Sequence, residues 1–135
     1  MKTYEIPIKD VLLIRQKVMW PNKSLDFVKI PNDNRGKHYG LKKNNNIISV
    51  ISIFFNDNEM QFRKFATLEE FQGKGYGSIL LSSVFEISKK MDIKRIWCNA
   101  RKNKIDFYRK FGMKETPMQF LKEGKEYVLM EKLIN

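Results

Sequence analysis

The chain has 135 residues, 42% of them hydrophobic and 13% aromatic, which is enough for one folded core, too little for two, and unlike a disordered or collagenous composition. A net charge of +11 would draw polyanions such as nucleic acid, an anionic membrane or phosphorylated small molecules, but the lysines are scattered along the whole length in the manner of a charge background. A single cysteine, Cys98, and a single histidine, His38, exclude an internal disulfide, a Cys/His metal cluster and any Ser-His-Asp triad not built on His38; the expected compartment is the reducing cytoplasm, and no metal is expected.

In chain order, the segment Met1 to Glu5 has no apolar signal core, so secretion is not expected. A first strand is followed by an amphipathic helix marked by Val11, Leu12, Ile14, Arg15, Val18 and Met19, which must end before Pro21. Pro21 to Pro31 reads as irregular, and Asn32 to Gly36 as a polar loop. Three strands are expected at His38–Lys42, Ile47–Phe55 and Met60–Thr67. They are separated by Asn44-Asn45-Asn46 and Asn56-Asp57-Asn58, residues that tolerate the left-handed angles of hairpin turns. The apolar run from Ile47 to Phe55 is interrupted by Ser49 and Ser52 and falls far short of the roughly 20 residues of a membrane helix. From Ser78 the period becomes helical, with Leu80, Leu81, Val84, Phe85, Ile87, Ser88 and Met91 on one face. A strand over Ile93–Asn99, a short helix over Lys102–Phe111 stopped by Gly112, and strands at Lys114–Leu121 and Glu126–Leu133 complete the chain. The sum is one α+β or mixed-sheet domain over residues 1–135, in which His38 is an ordinary strand residue.

Three alternating glycines, Gly73, Gly75 and Gly77, lie between a strand and an amphipathic helix. Glycine weakens regular structure, so three together call for a reason, and an anion site is one. A glycine-rich turn opening a helix aims several N–H groups at one point, where the helix dipole also favours negative charge. A loose strand-to-helix turn is the competing reading. Walker A fails because Lys74 is followed by Gly75, and the dinucleotide fingerprint fails at Ser78.

The pattern Gln72-x-x-Gly75-x-Gly77 closely resembles motif A of the GCN5-related N-acetyltransferases (GNAT). Asn99-Ala100-Arg101-Lys102-Asn103-Lys104-Ile105-Asp106-Phe107-Tyr108-Arg109-Lys110-Phe111-Gly112-Met113 is similar to motif B of the same family, departing from it at Lys104 and Met113. The resemblance implies a single GNAT-like domain: a mixed, mostly antiparallel central sheet flanked by helices and splayed between the fourth and fifth strands, with the family's second helix reduced to the loop around Pro21 to Pro31.

It also implies acetyl-coenzyme A as cosubstrate. The backbone of Gln72, Gly73, Lys74, Gly75, Tyr76, Gly77 and Ser78 would bind the pyrophosphate. Phe65, Ala66 and Thr67, at the splayed end of the strand, would offer free backbone groups to the pantetheine arm and an amide to the thioester oxygen. Tyr108 matches the tyrosine that protonates the departing thiolate; the alternative is a core aromatic stacked on Phe107 and Phe111. Asn103 would bond the cofactor or cap its helix. Lys74, Lys104 and Arg109 are candidates for the 3′-phosphate.

The general base is open. Some relatives carry a glutamate eleven residues before the motif A glutamine, where this chain has Gln61. Glu59 would face the same side if the strand reaches it, or be a solvated turn residue. Simple alternation puts Gln61, Arg63 and Phe65 on one face. If that face lines the acceptor groove, Gln61 and Arg63 are the substrate candidates, Arg63 for a carboxylate or phosphate; otherwise Arg63 is an exposed strand arginine. The function this implies is an N-acetyltransferase acting by direct attack of a primary amine, on a small-molecule or peptide acceptor, as a monomer or homodimer, with neither membrane nor nucleic acid as partner. The alternative is a basic nucleic-acid-binding module on the same fold without catalysis.

Overall fold

The computed structural model describes residues 1–134. Strand β1 (Thr3–Glu5) leads into helix α1 (Ile8–Met19). Helix α1 carries Asp10 in its first turn and Lys17 in its last, as its dipole favours, and buries Val11, Leu12, Ile14 and Arg15. Residues 20–36 contain only two short 3₁₀ turns, Asp26–Val28 and Asp33–Arg35, where the family's second helix was expected to be reduced to a loop. The meander follows as β2 (Lys37–Lys43), β3 (Asn46–Asn56) and β4 (Glu59–Thr67). Its turns place Asn44, Asn45 and Asp57 at positive φ, as their residue types suggest. A 3₁₀ turn at Glu69–Phe71 precedes helix α2 (Tyr76–Lys90), which begins two residues before the expected Ser78. Then come β5 (Arg95–Arg101), a 3₁₀ turn at Lys102–Lys104, the five-residue helix α3 (Ile105–Arg109), β6 (Lys114–Lys122) and β7 (Lys125–Leu133).

The seven strands form one sheet in the order β1-β2-β3-β4-β5-β7-β6. Every neighbouring pair is antiparallel except β4 and β5. That pair is in register only at Glu59 with Arg95, Met60 with Ile96 and Gln61 with Trp97; beyond Gln61 the strands part. The sheet is therefore splayed between its fourth and fifth strands.

One hydrophobic cluster lies on each face. On the first, Leu80, Leu81, Val84 and Phe85 of α2 pack with Ile51, Ile53, Met60 and Phe62. On the second, Val11 and Ile14 of α1 pack with Ile6, Val50 and Ala66. No helix among the described residues is long and apolar enough to cross a membrane.

Candidate active site

The parting of β4 from β5 leaves one edge of β4 without a partner strand, and the register along β3 shows which backbone groups face that edge. Leu68 N–H donates to the Ile48 carbonyl at 2.8 Å, and Ala66 stands opposite Val50. In an antiparallel ladder these alternate pairs are the hydrogen-bonded ones, so the backbone of Ala66 is committed to β3 while Phe65 and Thr67 turn theirs toward the gap. The Ala66 carbonyl also accepts from Ser49 Oγ at 3.1 Å. At the gap, Gln72 Nε2 donates to the Thr67 carbonyl at 2.9 Å and docks the glycine loop onto the strand end.

The loop itself is shaped as an anion cradle. Gly75 is the N-cap of α2 with φ of 87°, a left-handed conformation that glycine adopts without steric cost. No side chain caps this end of the helix. The first intrahelical bond is Ile79 N–H to the Gly75 carbonyl at 3.2 Å, so the amides of Tyr76, Gly77 and Ser78 precede the helical ladder. A Cβ at Gly73 or Gly75 would meet no atom within 4 Å, so the outer surface of the loop is open. Gly77 is a glycine for another reason: a Cβ there would lie 3.2 Å from Phe65 Cζ, because α2 starts hard against the end of β4. These observations fit a pyrophosphate on the loop and an extended arm along the Phe65–Thr67 edge.

Tyr108 faces the same region. Its ring is half-buried, 5.8 Å from that of Phe62 and 5.2 Å from that of Phe107. Its position is fixed by the end of α3: Met113 N–H donates to the Tyr108 carbonyl at 3.3 Å and Gly112 N–H to the Arg109 carbonyl at 2.9 Å, the paired bonds of a Schellman cap. Burial, with the neighbouring Cys98 second, holds the phenol well above the ordinary tyrosine value, so Tyr108 carries its proton throughout the neutral range. The buried Cys98 thiol is pushed up to about 12 by desolvation, which leaves it protonated and unfit as a nucleophile.

Other residues singled out in the sequence are placed as follows. Asn103 sits exposed in the 3₁₀ turn before α3, and no side-chain capping bond is made at that turn or at α3. Lys74 and Lys104 are exposed. Arg109 is held by Asp106 at 3.0 Å and by Glu115. Glu59 lies inside β4 and pairs with Arg95 at 3.1 Å, while Arg95 Nε binds Glu131 at 2.6 Å. Glu59 is thus neither a solvated turn residue nor a free base. His38 is a buried member of a polar network, with Nδ1 2.7 Å from Ser52 Oγ and Nε2 2.9 Å from the Asp33 carbonyl. In the same network Arg15, fully buried, grips both oxygens of Asp33 at 2.9 Å and also reaches Ser52 Oγ at 2.8 Å.

One expectation about β4 needs correcting. Gln61, Arg63 and Phe65 do not share a face. Lys64 has φ of 55°, and the register jumps between Val50–Ala66 and Ser52–Arg63, which marks a β-bulge. The inserted residue shifts the alternation. Arg63, opposite Ser52, lies on the α1 face, as does Gln61 opposite Phe54, whereas Phe65 packs into the α2-side cluster and lies 6.2 Å from Phe107.

Two features had no local sequence signal. Lys64 is a half-buried bulge residue whose ammonium is held below the ordinary lysine value by burial and by the charges of Arg63, Arg15 and Lys122. Lys43 donates to the Tyr76 hydroxyl at 2.7 Å and lies 5.7 Å from the Phe71 ring centre, so β2 brings a cation to the glycine loop from 33 residues away. An open cavity of about 820 Å³ adjoins it, lined by Lys17, Lys42, Lys43, Leu68 and Phe71; Tyr108 and the gap edge of β4 are not part of its wall.

The fold agrees with that of known proteins. The Acetyltransferase (GNAT) family profile matches residues 8–113. The N-acetyltransferase YitI of Bacillus subtilis, itself uncharacterized, is 26% identical over 119 residues, covering 82% of this chain and 80% of that one. A Lactobacillus plantarum structure assigned as an N-acetyltransferase superposes with a TM-score of 0.86 at 20% identity, covering 98% of this chain and 97% of the other. A GNAT family acetyltransferase from Elizabethkingia anophelis, solved with acetyl-CoA bound, has a TM-score of 0.74 at 21% identity, with 98% and 97% covered. With the family match extending over most of its length, the chain belongs to the GNAT acetyltransferases and is an acyltransferase enzyme.

Proposed function

We propose that this chain moves an acetyl group from acetyl-coenzyme A to a primary amine by direct attack. The observation that carries the reading is that three things border one gap: the uncapped amides of Tyr76 to Ser78, the edge of Phe65 and Thr67 that has no partner strand, and the proton-bearing Tyr108. The loop amides would hold the pyrophosphate at the positive end of α2, with Lys43 adding charge beside them. The edge of β4 would pair with the pantetheine amides as a further strand does, and an amide of that edge would polarise the thioester oxygen.

The amine nitrogen bonds to the acyl carbon as the carbon–sulfur bond breaks. Tyr108 gives its proton to the departing sulfur, and the proton lost by the amine passes to water. Gln61 cannot accept that proton and Glu59 is engaged by Arg95, so the amine arrives as its free base or is deprotonated through solvent. No second covalent acyl carrier is required, in keeping with the inert Cys98.

A thiol-release assay with acetyl-coenzyme A and a panel of amines tests the reading, together with a melting scan in coenzyme A. Ligand at 100 times its dissociation constant adds about 2.7 kcal/mol of stability. Amine-dependent thiol release with a coenzyme A shift supports it. The absence of both, together with strongly salt-dependent binding to DNA or RNA, would show instead a non-catalytic basic module.

A further inference from the structure

The bulge in β4 does more than shift the alternation. It sets two cations, Arg63 and Lys64, side by side at the point where β4 leaves β5, and Phe62, the residue before them, packs against Tyr108. The α1 face on which Arg63 lies also carries the buried Arg15. Lys122, at the end of β6, is near enough for its charge to act on Lys64. Acids do not balance this group. Arg15 is already committed to Asp33, and among the described residues Arg63, Lys64 and Lys122 make no salt bridge. Glu123, in the turn that follows β6, offsets the neighbouring positive charge at Lys64 only in part. A half-buried cation without a partner opposes folding, and its neighbours of like charge add to that cost. An oxyanion bound there would relieve it.

We propose that the bulge of β4 holds an oxyanion of the acceptor, so that the amine acetylated by this chain carries a carboxylate or a phosphate close to its nitrogen. This rests on the acetyl-transfer reading above and narrows it: a polycationic acceptor would meet Arg63, Lys64 and Lys122 with like charge. Lys64 and Arg63 are specificity-determining residues here. They recognise the substrate's charge and take no part in proton transfer.

Matched pairs of acceptors test the proposal: glycine against glycinamide, and phosphoethanolamine against ethanolamine. Each is assayed for kcat/KM with acetyl-coenzyme A and corrected for its free-base fraction. The expected result is a preference of about tenfold or more for the anionic member of at least one pair, and the pair with the larger ratio names the oxyanion. Lys64→Met should bring that ratio toward one through KM, with coenzyme A affinity unchanged in calorimetry and a melting temperature equal to or above the parent. Lys64→Arg should keep the preference. If Lys64→Met does not fold, Lys122→Met should reduce the same ratio. Equal or better turnover of the uncharged members, a ratio that survives loss of the charge, or no turnover of any anionic amine by protein that binds coenzyme A would each overturn the proposal. Protein that neither binds coenzyme A nor releases thiol would overturn the acetyl-transfer reading itself.

Discussion

The two edges of β4 are used in opposite ways. Toward β3 the strand is paired from Glu59 to Thr67 with one interruption, and beside that seam lie the Arg15–Asp33 pair, Ser52 and His38, whose polar atoms are almost all satisfied. Among the described residues the exception is Arg15 Nε, the only buried side-chain polar atom without a partner. Toward β5 the same strand is paired over three residues and then left open, bordered by uncapped helical amides and by a tyrosine held in its protonated form. A strand edge with its hydrogen bonds filled contributes stability, and an edge with them empty is a template for an extended ligand. Substitutions on the two sides should therefore separate stability from activity.

The largest separation is expected at Tyr108. Tyr108→Phe keeps the ring against Phe62 and Phe107 and removes the proton, so single-turnover kcat should fall by about 10²–10⁴-fold with coenzyme A affinity little changed. Turnover near the parental rate would make Tyr108 a packing residue. On the β3 side, Asp33→Ala leaves the Arg15 guanidinium buried without its carboxylate and should cost about 3–5 kcal/mol in denaturant unfolding, with coenzyme A binding intact in whatever protein remains folded.

Asp33 also sets an acid limb. Burial alone would push its carboxyl up, but hydrogen bonds from Arg15 and the Ile30 amide hold it below the ordinary range. Its contribution is thus complete above the unfolded value of about 3.9 and lost as pH falls through the lower folded value. Asp33→Asn should be less stable at neutral pH and show a flatter acid limb. An unchanged limb would remove Asp33 from that role.

Gly75→Val comes next, with coenzyme A binding weakened more than about tenfold in calorimetry. The reason is external to the fold, because a Cβ there touches no protein atom; the side chain would stand where the anion approaches, and the φ of 87° adds strain. Unchanged affinity in folded protein would move the anion off this loop. The smallest effect is expected for Glu59→Gln, which breaks a partly exposed pair with Arg95 and should cost less than about 1 kcal/mol with kcat unaltered. A tenfold fall in kcat there would return Glu59 to candidacy as the base.

Much of this contrast is legible in the residues. The spacing of Gln72, Gly75 and Gly77 places the loop, the helical period from Leu80 onward places α2, and the Asn-rich turns place the meander. What escapes is non-local or lacks a residue signature. The bulge rests on a lysine at positive φ, a position where glycine or asparagine would have been a signal, and so the faces of Arg63 and Phe65 could not be assigned by alternation. Glu59 and Arg95 are 36 residues apart, as are Arg95 and Glu131, so an ion-paired triad looks in sequence like three separate surface charges. Arg15 occupies an apolar stripe as if it were a helix-surface residue, and only the fold brings Asp33 to it.

The Schellman cap after α3 has a consequence for how activity is acquired. A helix of five residues is far below the length that holds together alone in water. The aim of Tyr108 is set by Met113, which is buried and leads directly into β6. On the proposed reading the proton donor is therefore set in place with the C-terminal hairpin, the last part of the sheet to leave the ribosome. A chain still in synthesis can complete the glycine loop and α2 while Tyr108 remains unpositioned, so on that reading catalytic competence would mark the finished fold and not the first collapse.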